Sequence, residues 1–109
     1  MQEYMIILKN KKSVDYSPEE LQRRLDAYRT WANNLGERYV RGQRLEDEGA
    51  YFKNSEEVVT DGPFLEAKEI IAGYVIFKAE NLTEAMQVTQ TLPLLAHFEA
   101  YVRPINPAD

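Results

Sequence analysis

Two helix-start signals of the same kind constrain the fold of this chain most strongly. Ser17 is followed by Pro18 and then by Glu20, and Asn81 is followed at the same distance by Glu84. In both signals the capping side chain can accept a hydrogen bond from a first-turn backbone N–H, and proline is favoured at the first helical position. Each signal therefore predicts a helix, and each predicted helix lies between segments that resemble strands.

The residues after each signal continue the helical pattern. The first predicted helix ends before Gly36, a residue type common at helix C-termini. The second is predicted to extend to about Thr91, because Pro93 stops it. Trp31 falls beside the apolar stripe of the first helix and is predicted to cover the core edge or another protomer. The stripe has helical spacing and consists of Leu21, Leu25, Tyr28, Ala32 and Leu35.

The remaining apolar segments are predicted to be strands because they are short, rich in aliphatic and aromatic residues, or alternating. One of them contains Gly42, which is predicted to form a bulge. Pro104 places the last strand at an edge of the sheet. The predicted strands are Tyr4–Leu8 at the centre, Tyr39–Leu45, Ala50–Lys53 with Glu57–Thr60 as a small hairpin, Ile70–Ala79, and residues 98–103.

The order of these elements predicts an α+β, ferredoxin-like fold. It consists of a split β-α-β antiparallel sheet, two helices on one face and a small β-hairpin insert. The chain of 109 residues is expected to form one domain over residues 1–109. The other face of the sheet needs a cover, and a second copy of the chain is the simplest one. Such a homodimer would enclose a ligand cleft between its sheets.

Composition excludes several classes of function. The net charge of −5, from 18 acidic and 13 basic residues, disfavours binding to nucleic acid or to an anionic membrane. The apolar runs are too short to cross a bilayer and no signal peptide is recognisable, so a cytoplasmic protein is expected. The absence of cysteine excludes disulfides and thiolate sites, and a single histidine excludes a two-histidine metal site. We therefore expect neither a metal nor a cofactor.

The segment Val59–Glu69 contains Asp-Gly-Pro-Phe, then Glu, then Lys-Glu, and it resembles the signature of the DGPF, or YCII-related, family. The resemblance covers nearly the whole chain, through Ser17–Glu20, Gly73–Phe77, Asn81–Ala85 and Val102–Ile105. It implies a dimeric α/β barrel of the ferredoxin-like type. It further implies either an enzyme, since some members are proposed to use a His–Asp pair and one is implicated in dehydrochlorination, or a regulator, since members are often encoded beside sigma factors.

Three charged residues of the motif segment have two interpretations each. Asp61 is a general base at the mouth of a cleft, or a turn residue whose carboxylate accepts backbone hydrogen bonds. Lys68 holds an anionic substrate while Asp61 or Glu69 transfers a proton, or Lys68 and Glu69 form a solvated surface cluster with Glu66.

Each of the other candidate residues also has two interpretations. His97 is an acid–base residue beside the last strand, or a surface loop residue. Phe64 is an anchor in the core or an interface, or an aromatic lid over a ligand. Arg44 and Arg103 are anion partners, or charges at the strand edges.

Two functions of different classes follow from these candidates. The first is a small dimeric, cofactor-independent enzyme that carries out proton transfer, isomerisation or elimination on a small organic acid. Its candidate catalytic residues are Asp61, Glu69 and His97, and its candidate substrate-binding residues are Lys68, Phe64 and Arg103. The alternative is a non-catalytic module that senses a ligand or binds a partner, and a purely structural dimer is a third possibility.

Overall fold

The computed structural model describes residues 1–11, 17–46, 48–60 and 70–108. The elements follow the predicted order of strand, helix, strand, hairpin, strand, helix and strand. They are β1 (Gln2–Asn10), α1 (Pro18–Leu35), β2 (Tyr39–Arg44), β3 (Ala50–Phe52), β4 (Val58–Thr60), β5 (Ile71–Ala79), α2 (Leu82–Gln90) and β6 (Phe98–Pro104), with short 3-10 turns at Gly36–Arg38 and Pro93–Ala96.

Four strands form one antiparallel sheet in the order β2-β5-β1-β6, and β3 pairs with β4 separately. In this order the first strand lies at the centre of the sheet and the last strand at its edge, as predicted. Pro104 ends the edge strand β6. Proline has no backbone N–H, and at an edge there is no second neighbouring strand that would need one. The topology confirms the ferredoxin-like split β-α-β fold.

Both helices pack on the same face of the sheet. On β1 the buried residues are Tyr4, Ile6 and Leu8, which alternate with the partly exposed Met5 and Ile7. A strand with this alternation has one face in the core and the other outside it. The core cluster also contains Val75, Phe77 and Ala79 of β5, Trp31 of α1, Ala85 and Val88 of α2, and Leu92.

Both predicted helix starts are confirmed in atomic detail. Ser17 Oγ accepts a hydrogen bond from the Glu20 N–H at 3.2 Å, and Asn81 Oδ1 accepts one from the Glu84 N–H at 2.9 Å. The two glutamate side chains form ion pairs with arginines, Glu20 with Arg24 and Glu84 with Arg38. The first pair lies within α1, whereas the second links the start of α2 to the turn before β2.

Two local predictions differ from the structure. Trp31 is only 6% exposed and belongs to the core, because the stripe of α1 that packs on the sheet passes through Tyr28 and Trp31. The irregular pairing of β2 with β5 lies between Tyr39 and Arg41, so it precedes Gly42. The role of Gly42 is in side-chain packing, as described below.

None of the helices in the described ranges is long and apolar enough to cross a lipid bilayer.

The end of α1 generates the first testable prediction. Gly36 has φ 59° and ψ −126°, and nothing lies within 4 Å of the position that a Cβ would occupy. The Gly36→Ala variant should therefore lose about 1–3 kcal/mol of stability through backbone strain alone. Chemical denaturation measures this loss as a lower midpoint with an unchanged slope, and an unchanged midpoint would show that the backbone relaxes without cost.

Candidate functional site

A cavity of about 530 Å³ lies between the N-terminal half of α1 and the sheet. This volume is within the range of sites that bind small molecules. The cavity is on the helix side of the sheet, whereas the cleft predicted from the sequence lies on the opposite face. Its apolar lining includes Leu21 and Leu25 of α1, Leu8 of β1, Val75 of β5 and Phe98 of β6.

Two glycines in the sheet leave room for this cavity. Gly42 pairs with Val75, and Arg44 pairs with Gly73, so neither glycine places a side chain beneath α1. A Cβ at Gly73 would lie 2.7 Å from the Gln43 carbonyl oxygen, so the close approach of β2 to β5 at this position requires glycine. Leu25 lines the resulting space and remains 40% exposed.

The charged side chains that line the cavity, within the described ranges, are Arg24 and Arg44. No carboxylate of the described chain lines it, although the protein as a whole has a net charge of −5. Low-dielectric walls strengthen the field of such charges inside a cleft. The formal charges of the described lining are therefore positive in a protein that is acidic as a whole.

Arg24 is held in place by Glu20 on the preceding turn of α1. Its Nε lies 3.2 Å from Glu20 Oε1, and its side chain is 9% exposed. Glu20 also pairs with Arg23 at 2.8 Å and lies 3.6 Å from His97 Nε2. Glu20 thereby connects the start of α1 to the turn before β6.

Asn10 and Tyr28 contribute uncharged polar groups to the lining. Asn10 is 8% exposed at the end of β1, and its backbone N–H donates to the Ile70 carbonyl at 3.1 Å. The Tyr28 hydroxyl oxygen is 2.6 Å from that of Tyr39. Burial, reinforced by the Tyr39 hydroxyl, raises the pKa of Tyr28 above the ordinary value for tyrosine. Tyr28 therefore stays neutral and protonated at physiological pH.

The structure places the predicted site residues as follows. His97 lies beside Glu20 and is not among the described lining residues. Arg103 is exposed on β6, where it pairs with Met5 on the sheet face away from the helices. Arg44, the other predicted anion partner, does line the cavity. Asp61, Phe64, Lys68 and Glu69 lie outside the described residues.

Asn10, Arg24 and Tyr28 are among the lining residues that were not recognised as site residues from the sequence. Asn10 ends a buried strand, and a polar residue there is a weak signal of a pocket. Tyr28 matches the apolar stripe, which conceals its hydroxyl. Within the described part of the chain, no group of three or more histidine, aspartate or glutamate side chains is arranged to hold a metal ion.

The fit between Gly42 and Tyr28 generates the second prediction. A Cβ at Gly42 would collide with the Tyr28 hydroxyl oxygen and lie 3.0 Å from the Tyr39 hydroxyl. Gly42→Ala should therefore cost about 1–3 kcal/mol. The cost should shrink, without vanishing, when Tyr28→Phe removes the colliding oxygen.

A double-mutant cycle measured by chemical denaturation tests this coupling. Gly36→Ala is the matched control, since its cost comes from the backbone and should not depend on Tyr28. An identical cost for Gly42→Ala in both backgrounds would contradict the predicted collision.

Comparison with known proteins agrees with the fold. Among curated proteins, none matches the sequence significantly. The chain is similar in structure to 5-chloro-2-hydroxyhydroquinone dehydrochlorinase (TftG) of Burkholderia phenoliruptrix, solved in complex with 2,5-dihydroxybenzoquinone. The two share 18% identity and a TM-score of 0.55, over 95% of this chain and 93% of the other. The model of the YCII-related domain matches residues 2–107, and the chain therefore belongs to the YCII-related family.

Proposed function

We propose that this chain is a small enzyme that binds an organic anion in the cavity between α1 and the sheet. The reaction would be a cofactor-independent proton transfer, isomerisation or elimination. The observation that carries the proposal is the charge of the lining, in which the described charged residues are Arg24 and Arg44. An acidic protein that gathers arginines around an apolar cavity is suited to a small acid.

The two arginines differ in exposure, and we assign a different role to each. Arg24 is nearly buried and is paired with the Glu20 carboxylate, which offsets its charge, so we assign it to shaping the α1 wall. Arg44 is exposed at the end of β2, and no ion pair holds it within the described chain. Arg44 is therefore the cation available to pair with a carboxylate that enters the cavity.

The apolar part of the lining favours a ring-shaped ligand. Five leucines, a valine and a phenylalanine belong to the walls, and their side chains gain from covering a flat apolar surface. The similar dehydrochlorinase holds 2,5-dihydroxybenzoquinone, a planar ring with acidic hydroxyl groups. This likeness supports an aromatic or quinonoid acid as the substrate class here.

Proton transfer needs a base, and we assign it to Asp61 or Glu69. Carboxylates can serve as general bases when a cleft brings them within hydrogen-bond reach of the substrate proton. Lys68 and Phe64 of the same segment would assist as a further cation and as a lid. His97 is the second choice for proton transfer, because Glu20 lies beside it to orient its ring.

The uncovered sheet face supports pairing of two copies. Tyr101 is 55% exposed there, close to the partly exposed Met5 and Ile7 of β1. Apolar side chains on an open sheet are stabilised by a cover. We assign that cover to a second copy of the chain, with Arg103 at the interface between the copies.

The charge of the lining gives the third prediction. Benzoate should bind more tightly than its neutral analogue benzamide, and Arg44→Gln should weaken benzoate about three- to tenfold. Benzamide binding should not change, because only the charge interaction is removed. Isothermal titration calorimetry measures both affinities.

Arg41→Gln is the matched control, since Arg41 is an exposed arginine on the same strand that does not line the cavity. It should leave both affinities unchanged, and added salt should reduce the benzoate preference of the wild type. Equal affinities of the wild type for benzoate and benzamide would refute the proposed function.

The two interpretations of Asp61 give the fourth prediction. If Asp61 acts on a substrate, Asp61→Asn should melt at the wild-type temperature or higher, because functional carboxylates are not optimised for stability. If it only accepts backbone hydrogen bonds, the variant should lose about 1–2 kcal/mol. That loss corresponds to roughly 4–16 °C for a domain of this size. Thermal unfolding by circular dichroism decides between the two, and we expect no loss.

A further inference from the structure

Tyr28 lines the cavity, and its hydroxyl and that of Tyr39 behind it together have one hydrogen more than their mutual bond needs. Tyr28 and Tyr39 each bring one O–H hydrogen, and the 2.6 Å contact between their oxygens uses one. The other hydrogen has no acceptor within the described part of the chain. When Tyr39 is the donor, the spare hydrogen belongs to Tyr28, which lines the cavity.

Tyr28 is held rigidly enough to aim this hydrogen. Its ring stacks on Trp31 at 5.9 Å between centroids and meets Tyr39 edge-on at 6.2 Å. Trp31 is itself fixed by a 2.9 Å hydrogen bond from its Nε1 to Thr91 Oγ1. Gly42 lies directly beneath the Tyr28 hydroxyl, so no side chain from β2 displaces it. A donor with so little freedom is preorganised for one position in the cavity.

The surroundings make this donor suited to an anionic oxygen. Tyr28 is half-buried, and burial raises its pKa, so the hydroxyl keeps its proton across the physiological range. A bond from Tyr39 to the Tyr28 oxygen also polarises the Tyr28 O–H and strengthens its donation to a third group.

We propose that the Tyr28–Tyr39 pair is an oxyanion-binding device, in which Tyr28 donates to a phenolate or enolate oxygen of the ligand. Tyr39 is a positioning residue that donates to Tyr28 and directs its hydrogen into the cavity. The inference rests on the proposed function and narrows it, because the ligand must carry an ionisable oxygen on its ring or beside a carbonyl. An acid without such an oxygen would leave the Tyr28 donor unused.

The chemistry of this arrangement is balanced without a further reagent. A carboxylate base takes a proton from carbon or oxygen of the ligand, and the electron pair left behind moves onto the ligand oxygen facing Tyr28. Tyr28 keeps its own proton and shares it in a hydrogen bond. In an elimination, the electron pair then returns to carbon and expels the leaving group with its bonding electrons.

The probe for this device is 4-nitrophenol, whose ionised form is coloured, so that absorbance reports ionisation of the bound molecule directly. In the wild type, bound 4-nitrophenol should ionise at lower pH than free 4-nitrophenol. Tyr28→Phe should weaken binding of the phenolate about tenfold and move the pKa of the bound phenol back towards the free value. Tyr39→Phe should produce a smaller effect of the same kind.

Two controls separate the hydrogen bond from packing. Nitrobenzene lacks the ionisable oxygen, and its affinity should be the same in the wild type and in Tyr28→Phe. Tyr51→Phe removes a hydroxyl from an exposed tyrosine of β3 outside the cavity and should change nothing. Because Tyr39→Phe keeps Tyr28 and its packing, a graded loss in this variant supports the positioning role even if Tyr28→Phe is poorly folded.

The outcomes distinguish this inference from the proposed function. The inference is overturned if both tyrosine variants bind 4-nitrophenolate as tightly as the wild-type protein does. It is also overturned if the wild-type protein does not bind 4-nitrophenolate. If the wild-type protein still binds benzoate more tightly than benzamide in that case, the proposed function is supported although the tyrosine inference fails. If Tyr28→Phe weakens nitrophenolate while benzoate and benzamide bind equally, the tyrosine device stands and the proposed anion site fails.

Discussion

Trp31 fixes the spacing of the two helices above the sheet. Its buried ring lies in the core, and its Nε1–H is bonded to Thr91 Oγ1, whose own hydrogen goes to the Val88 carbonyl at 2.7 Å. A buried indole N–H without this acceptor would be costly, so the bond holds α1 to the end of α2. The C-terminal half of α1 is therefore packed against the core, while its N-terminal half covers the cavity above Gly42 and Gly73.

The fold was predictable because its signals are local. Capping residues predicted the two helix starts, a short apolar run predicted the central strand β1, and alternation predicted the buried face of β6. Pro104 correctly indicated an edge strand. Trp31 was misjudged because its place in the core depends on the approach of α2, which helical spacing alone does not contain.

The site was predictable only in part, because it depends on strand register. Gly42 and Gly73 leave a gap only because β2 and β5 bring both to the face beneath α1. The same register separates two arginines that look alike in the sequence, since Arg44 reaches the cavity and Arg103 lies on the other face. The approach of His97 to Glu20 joins residues far apart in the chain, and no spacing rule foresees it.

The buried position of Trp31 also has a spectroscopic consequence. The chain contains a single tryptophan, and its ring stacks on Tyr28, whose other side faces the cavity. The indole emission of the whole protein therefore comes from one position, separated from the cavity by the ring of Tyr28. Molecules that shift Tyr28 alter the surroundings of that indole, so the native protein carries its own optical reporter of occupancy without any label.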